Sequence, residues 1–258
     1  MFMEDLKQSR GVRSVDYTAE ILELFCGKSP TLSLKEISTS MGVSSAKLYP
    51  YLVSLVRCGL LRKCDSNNYD IGQLSLDLAF KALNYLDPFE ETSKVAKEIN
   101  QITSYPVVLS TWGSFGPTVI QINEANSNLS SKIRVGSVMS IVNSTIGNTF
   151  AKFLPLNIIR DALKFEEYRY AGYKFSSAER KKFLDDIKNN DQDIITIIEN
   201  RPVKGLTSLS IPIFNISNEI QFVITIYEDT EILLENLDFI KNILFVKLNE
   251  LSRTLGFK

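Results

Sequence analysis

The chain has 258 residues, of which 44% are apolar and 23% are charged, and this ordinary globular composition excludes a disordered or collagen-like chain. It contains no histidine, which excludes Ser-His-Asp and Cys-His catalysis and histidine-ligated zinc. The net charge of −1 argues against a surface that is basic all over. The length is comfortable for two domains.

The cysteines and the chain start indicate the compartment. Cys26, Cys58 and Cys64 are odd in number, have no C-x-x-C spacing, and lie in or beside apolar segments, so we expect reduced thiols. Acidic residues occur within the first five positions, which is unlike a secretory signal. No apolar run approaches the ~18 residues of a membrane helix. We therefore expect a cytoplasmic protein that does not contact a membrane.

The first helical signals lie before residue 45. Ser33 and Glu36 form a capping box, in which each side chain can bond the other residue's backbone amide. Apolar residues recur at helical spacing as far as Met41, and Gly42 ends the pattern. Ser44 is a suitable N-cap for the helix that follows.

This next helix has one apolar stripe and one polar face. The stripe consists of Leu48, Leu52, Leu55 and Val56. With residues about 100° apart around the axis, the opposite face holds Ala46, Lys47, Pro50, Ser54 and Arg57. Two short strand patterns, residues 60–64 and 69–71, flank a turn-forming cluster. An earlier helical pattern runs from Val15 to Cys26 and stops at Gly27. Three helices followed by a hairpin predict a winged helix-turn-helix.

Positive charge is concentrated in this region. Residues 41–63 contain four Lys or Arg and no acid, although residues 1–80 are neutral overall. A helix with outward polar side chains fits the major groove of duplex DNA, and serine hydroxyls and amides at its start can contact phosphate. The DNA-binding residues predicted here are Ser44, Ser45, Lys47, Ser54, Arg57, Arg62 and Lys63. The alternative is a solvated helix face.

The rest of the chain predicts a linker helix and a second domain. Residues 73–86 have a helical pattern that Pro88 closes, and after residue 105 strand and helix patterns follow in mixed order. That order predicts an α/β or α+β domain with one mainly antiparallel sheet. We expect domains at residues 1–72 and 88–258 and a linker at 73–87.

A candidate ligand site lies in the second domain. Ser144, Thr145, Ile146 and Gly147 start a predicted helix, where free amides and the helix dipole favour an anion or carboxylate. Ser208 and Ser210 are two apart on a strand, so their hydroxyls point to one face and can reach the same cavity. Ordinary capping and a polar sheet face remain the alternative.

Four segments resemble IclR-type transcriptional regulators. They read SLKEISTSMGVSSAKLYPYLVSLVRCGLL at 33–61, YDIG at 69–72, NSTIGNTFAKFLP at 143–155 and GLTSLSIPIF at 205–214. The resemblance implies a dimeric or tetrameric repressor or activator, whose winged helix binds an operator. It also implies a GAF-like C-terminal domain that binds a small metabolite, often a carboxylic acid.

The chain departs from that family pattern at several positions. Pro50 stands where the family commonly has an arginine, and it predicts either a kink or a helix that begins only near Lys47. Ser208 replaces a frequent cysteine, Arg201 stands near a common acid, and Asn148 replaces the usual lysine. These changes suggest a ligand different from the better-known acids.

Three hypotheses follow. The first is a DNA-binding regulator, a homodimer or a dimer of dimers, that responds to a small-molecule effector. The second is a sensory or scaffolding protein that has lost DNA binding and docks proteins through its winged helix. The third, an enzyme, is the weakest, because we find no catalytic constellation, metal-ligand cluster or cofactor motif.

Overall fold

The computed structural model describes residues 11–27, 31–64, 67–125, 133–169, 176–189, 193–201 and 203–257; the acidic chain start lies outside these ranges. The chain divides into two compact units, Met1–Leu86 and Asp87–Lys258. Each unit has its own buried hydrophobic core.

The N-terminal unit contains helices and one small hairpin. Its helices are α1 (Arg13–Glu23, continued by the 3-10 turn Leu24–Cys26), α2 (Leu34–Met41), α3 (Ser45–Arg57) and α4 (Gln73–Tyr85). Strands β1 (Leu61–Lys63) and β2 (Tyr69–Ile71) pair antiparallel and form the wing. The core is built from Ile21, Phe25, Ile37, Leu48, Leu52, Leu55, Leu61 and Tyr69.

Local sequence signals position the two helices of the helix-turn-helix. The capping box forms as predicted, since Ser33 and Glu36 each bond the other's backbone amide. Gly42 ends α2 in the left-handed conformation, with φ of 65°. The Ser44 hydroxyl then accepts a hydrogen bond from the Lys47 amide and caps α3. The turn between α2 and α3 is therefore set by residues within it.

The expectation that α3 begins only near Lys47 is wrong. Helix α3 runs without interruption from Ser45 to Arg57 and includes Pro50 at its sixth position. Pro50 has no amide hydrogen to donate to the Ala46 carbonyl, and both residues are exposed. The buried leucine stripe holds the helix against the unit's core and offsets the ~3 kcal/mol that an interior proline costs.

The wing returns closely to the end of α3, and Gly72 permits this approach. A Cβ atom at Gly72 would lie 2.2 Å from the carbonyl oxygen of Gly59. The Gly72 amide donates to the Leu60 carbonyl at 2.9 Å, and the Leu74 amide donates to the Gly59 carbonyl at 3.0 Å. The hairpin is thus fixed to the turn that follows α3.

The C-terminal unit is built on a five-stranded sheet. Its strands are β3 (Val107–Gly113), β4 (Gly116–Asn123), β5 (Thr196–Glu199), β6 (Leu206–Phe214) and β7 (Ile220–Asp229), in the order β4-β3-β7-β6-β5. All neighbouring strands in this order are antiparallel. Its helices are α5 (Pro88–Thr103), α6 (Thr145–Phe153), α7 (Leu156–Arg169), α8 (Ser177–Asn189), α9 (Thr230–Glu235) and α10 (Leu237–Leu255).

Helices cover both faces of this sheet. On one face, Ile146 and Phe150 of α6 pack with Val108, Val223 and Tyr227. The alternate side chains of the same strands point to the other face, where Phe89 of α5 contacts Phe222 and α10 packs on β6. Helices α7 and α8 pack outside α6. The predicted α+β class, a winged helix-turn-helix followed by an antiparallel-sheet domain, is confirmed.

Candidate nucleic-acid interface and ligand site

The outer face of α3, defined by Ala46, Lys47, Pro50, Ser54 and Arg57, is exposed along its whole length. Ser44 is exposed and Ser45 half-buried at the helix start. The structure therefore places these predicted α3 residues on one accessible side of the helix, opposite the buried leucines.

Lys47 and Arg57, the two cations of this face, have different surroundings. The Lys47 ammonium lies 5.9 Å from the ring centroid of Tyr17 on α1, and that ring packs edge-on against Tyr51. Arg57 occupies the last helical turn, where it complements the helix dipole. Neither forms an ion pair with another described residue. The Ser54 hydroxyl donates to the Pro50 carbonyl at 3.0 Å, so its oxygen remains available as an acceptor.

On the wing, Arg62 is paired within the hairpin. It lies directly opposite Asp70, and its Nη2 and Nε atoms contact Asp70 Oδ2 at 2.5 and 3.0 Å. The Arg62 guanidinium, and then the Ile71 amide, hold the pKa of Asp70 below its ordinary value. The pair is therefore formed at neutral pH and is lost only as the pH falls through this lowered pKa. Exposed Lys63 forms no ion pair with another described residue.

Replacing Asp70 with asparagine is expected to strengthen DNA binding. The variant frees Arg62 and removes a negative charge from the wing. If Arg62 then reaches a phosphate, the log–log salt slope of the affinity should steepen by about 0.9, with up to about tenfold tighter binding at low salt. Fluorescence anisotropy with labelled duplex DNA at several salt concentrations measures both quantities.

The matched control is Asp77→Asn, since Asp77 is exposed on α4, is bonded to Gln73, and changes the net charge equally. An equal effect of both substitutions would mean that net charge, and not the release of Arg62, changes the affinity.

In the C-terminal unit, the start of α6 is enclosed. The Ser144 hydroxyl accepts from the Gly147 amide at 3.0 Å. Ser144, Thr145 and Ile146 are each no more than 3% exposed, and Gly147 is buried. A Cβ at Gly147 would lie 2.2 Å from the Ser140 carbonyl oxygen. The preceding loop thus lies directly against this helix and needs glycine there.

The polar side chains of Glu166 and Asn148 hold this loop, residues 140–144, in place. The buried carboxylate of Glu166 on α7 accepts hydrogen bonds from the Ser140 hydroxyl and from the amide of Ile141 at 3.0 Å. The Asn148 side-chain amide donates to the carbonyls of Ile141, Val142 and Ser144 at 2.9 to 3.1 Å. Where the family pattern has a lysine, this chain therefore has a residue that positions the loop.

Hydroxyl groups collect on the sheet face that α6 covers. Thr145 of α6 and Ser208 of β6 are in hydrogen-bond contact. Thr196, Ser210 and Thr225 pair in one row across β5, β6 and β7, and the Ser210 and Thr225 hydroxyls are 2.7 Å apart. Ser110 of β3 shares this face, because its neighbour two residues away, Val108, pairs with Thr225.

We call Ser110, Thr196, Ser210 and Thr225 the hydroxyl cluster. All four are at most 5% exposed. Among the described residues, the hydroxyls of Ser110 and Thr196 have no hydrogen-bond partner. Buried polar groups are nearly always hydrogen-bonded, so each of these two unsatisfied hydroxyls, one on β3 and one on β5, indicates room for a ligand or water on this sheet face.

The sequence predicted part of this arrangement of hydroxyls. It paired Ser208 with Ser210 on one sheet face and connected them with the start of α6, and the structure brings Ser208 to Thr145. It missed Ser110, Thr196 and Thr225. Their signal was weak: a single hydroxyl residue within an apolar strand pattern, such as Thr225 among Val223, Ile224 and Ile226.

Every helix in the described part of the chain is too short or too polar to span a lipid bilayer. Within the same ranges, no three His, Cys, Asp or Glu side chains come together as metal ligands.

The chain is similar to known proteins over both units. The family model for the IclR helix-turn-helix domain matches residues 14–64. The crystal structure of Pseudomonas aeruginosa HmgR is similar with 25% identity and a TM-score of 0.76, covering 96% of this chain and 99% of that one. No curated protein matches in a sequence search.

Two more distant structures show the same fold. The Agobacterium tumefaciens repressor BlcR has 16% identity and a TM-score of 0.73, with coverage of 97% of this chain and 100% of that chain. The Thermotoga maritima IclR has 20% identity and a TM-score of 0.54, with coverage of 95% and 99%.

A winged helix-turn-helix with an exposed cationic helix, joined to an antiparallel-sheet unit, defines a two-domain DNA-binding transcriptional regulator. The N-terminal unit matches the IclR helix-turn-helix domain, and the two units have the folds seen in solved IclR-type transcriptional regulators.

Proposed function

We propose that α3 and the wing bind an operator and that a small metabolite in the C-terminal unit changes the operator affinity. The observation that carries this proposal is the exposed, acid-free cationic face of α3 in the unit that matches the family's helix-turn-helix. The contacting residues are Ser44, Ser45, Lys47, Ser54, Arg57, Arg62 and Lys63. Lys47 and Arg57 contribute most, because neither is paired with a described acid.

The effector binds between α6 and the sheet. The unpartnered hydroxyls of Ser110 and Thr196, on the same sheet face as Ser208 and Ser210, favour a small compound rich in oxygen, with carboxylic acids among the first candidates. The helix dipole at Ser144 to Gly147 adds a preference for partial or full negative charge. Since these residues are buried, binding requires the layer between α6 and the sheet to open.

The assembly is a homodimer or a dimer of dimers, which presents two winged helices to successive segments of the major groove. Helix α4 is the last element of the N-terminal unit before the boundary between Leu86 and Asp87. An effector with different affinities for two arrangements of the dimer shifts the population between them, and so changes operator affinity.

The test measures binding to duplex DNA from the protein's own promoter by fluorescence anisotropy, with and without members of a panel of small organic acids and hydroxy compounds. Each phosphate contact should contribute a slope of about −0.9 to the log–log salt dependence. An effector from the panel should change the affinity about fivefold or more. Thr225→Val, which removes one hydroxyl of the hydroxyl cluster, should abolish the effector response without changing DNA affinity in its absence.

The matched control is Thr111→Val on the opposite sheet face, where the Thr111 hydroxyl donates to the Gln221 carbonyl. It should respond to the effector like wild type. Absence of DNA binding at low salt would contradict the proposal, and an unchanged effector response in Thr225→Val would remove the hydroxyl cluster from it.

A further inference from the structure

A second cleft lies in the C-terminal unit at the end of β3, and none of the four residues of the hydroxyl cluster lines it. It is formed between the β3–β4 turn and α7 and has a volume of about 280 Å³. Trp112, Ser114 and Phe115 line one side, and Ile158, Asp161 and Ala162 line the other. None of these residues belongs to the proposed effector site. We call this the Trp112 cleft.

The walls of the Trp112 cleft are largely aromatic and aliphatic. Phe115 is 69% exposed at the tip of the turn, and Ile158 is also exposed. Ile158 and Ala162 are four residues apart and Asp161 lies between them, so all three share one side of α7. The Trp112 ring packs edge-on against the buried Phe150 at 5.6 Å between centroids. The wall at Trp112 is therefore held by the core of the unit before any ligand enters.

The charge in the cleft is negative. Asp161 is the charged residue among those that line it. Lys164 contacts one oxygen of Asp161 at 2.7 Å, and both side chains are about two-thirds exposed. Exposed ion pairs of this kind are weak, so a ligand cation can compete with Lys164. The faces of Trp112 and Phe115 attract a positive charge as well.

The size of the cleft restricts its ligand. Pockets for drug-sized molecules begin near 300 Å³, whereas a cavity of about 150 Å³ accepts benzene. The Trp112 cleft lies between these values and suits one ring with a short side chain. The Ser114 hydroxyl offers one further hydrogen bond beside the carboxylate.

We propose that the Trp112 cleft binds a small organic amine, with an aromatic ring against Trp112 and Phe115 and an ammonium group at Asp161. This is a ligand site separate from the effector site between α6 and the sheet, and it takes a ligand of the opposite charge. It requires neither DNA nor the hydroxyl cluster.

The chain provides its own reporter for a test, because Trp112 is its sole tryptophan. Phenethylamine, which does not share the indole emission, is titrated into the full-length protein while Trp112 fluorescence is recorded, and calorimetry measures the heat of binding. We expect a saturable change with phenethylamine. Phenylacetate, which has a similar ring and the opposite charge, should bind at least about tenfold more weakly.

Two variants test the residues. Asp161→Asn removes the charge from an exposed side chain and should weaken phenethylamine binding about tenfold or more. Asp186→Asn is the matched control, since Asp186 is an exposed acid on α8 that does not line the cleft. Phe115→Ala removes a wall from an exposed turn and should also weaken binding.

The proposal is overturned if phenethylamine gives no saturable signal by either method, if phenylacetate binds equally well, or if Asp161→Asn binds like wild type. Thr225→Val should bind phenethylamine normally. This result would show that phenethylamine binding does not depend on the proposed effector site, so each site can be supported or rejected separately.

Discussion

The double variant Lys47→Glu and Arg57→Glu is expected to lose operator binding almost completely. Both side chains lie on the exposed outer face of α3, and neither is paired with a described acid. Removing one base or phosphate contact costs about 1–3 kcal/mol, so losing two should weaken binding by about 100-fold or more, before any repulsion from the new carboxylates. Each phosphate contact contributes about −0.9 to the slope of log affinity against log salt concentration, so losing two contacts should make this slope less steep by about 1.8.

The measurement is anisotropy with the promoter duplex across a range of salt concentrations. Lys97→Glu combined with Arg160→Glu is the matched control, because it makes the same charge change at exposed positions of α5 and α7. The control should change affinity only slightly. If the α3 variant keeps the wild-type affinity and salt slope, α3 is not the DNA-contacting helix, and the docking role of the winged helix becomes the better explanation.

Gly147→Ala is expected to destabilise the C-terminal unit more than any surface substitution. The new Cβ would lie 2.2 Å from the Ser140 carbonyl oxygen and 2.4 Å from the Ile141 Cα, and both are backbone atoms that cannot rotate away. The loop would have to move off α6, and it is also held by Glu166 and Asn148. Overpacking of this kind costs about 1–3 kcal/mol, and more where the backbone is fixed.

Denaturant unfolding followed by Trp112 fluorescence measures the stability of the C-terminal unit, since the sole tryptophan lies on β3. Gly11→Ala is the control, because a Cβ there meets only ordinary contacts with the Asp16 side chain. It should change the stability by less than about 0.5 kcal/mol. A wild-type midpoint in Gly147→Ala would mean that the loop yields freely, and then the close approach at α6 is not needed for stability.

Much of the N-terminal unit could be predicted because its signals are local. The Ser33–Glu36 capping box, Gly42 and the Ser44 cap each act within four residues, and the leucines of α3 repeat at helical spacing. The expectation that α3 begins only near Lys47 is wrong. Pro50 has no amide hydrogen to donate, but the Ser44 cap and the packing of Leu48, Leu52 and Leu55 hold the helix from Ser45 onward.

The wing shows what the local sequence predicts and what only the pairing of the two strands decides. The sequence identified Arg62 as a cation on a hairpin, and the pairing with Asp70 then depended on which residues face each other across the strands. Because Arg62 pairs with Asp70, the wing offers less positive charge to a phosphate. Asp70→Asn tests how much this pairing lowers the affinity for DNA.

The sequence by itself determined the order of elements, the cationic outer face of α3 and the division into two domains, because caps, periodicity and charge are properties of neighbouring residues. Only the tertiary structure decided that Glu166 holds the loop before α6, that the four hydroxyls share the sheet face under that helix, and that the Trp112 cleft exists. These features bring together residues that are distant in sequence, such as Thr145 and Ser208, which are 63 positions apart. They form because strand register and helix packing bring such residues together, and no local pattern encodes that geometry.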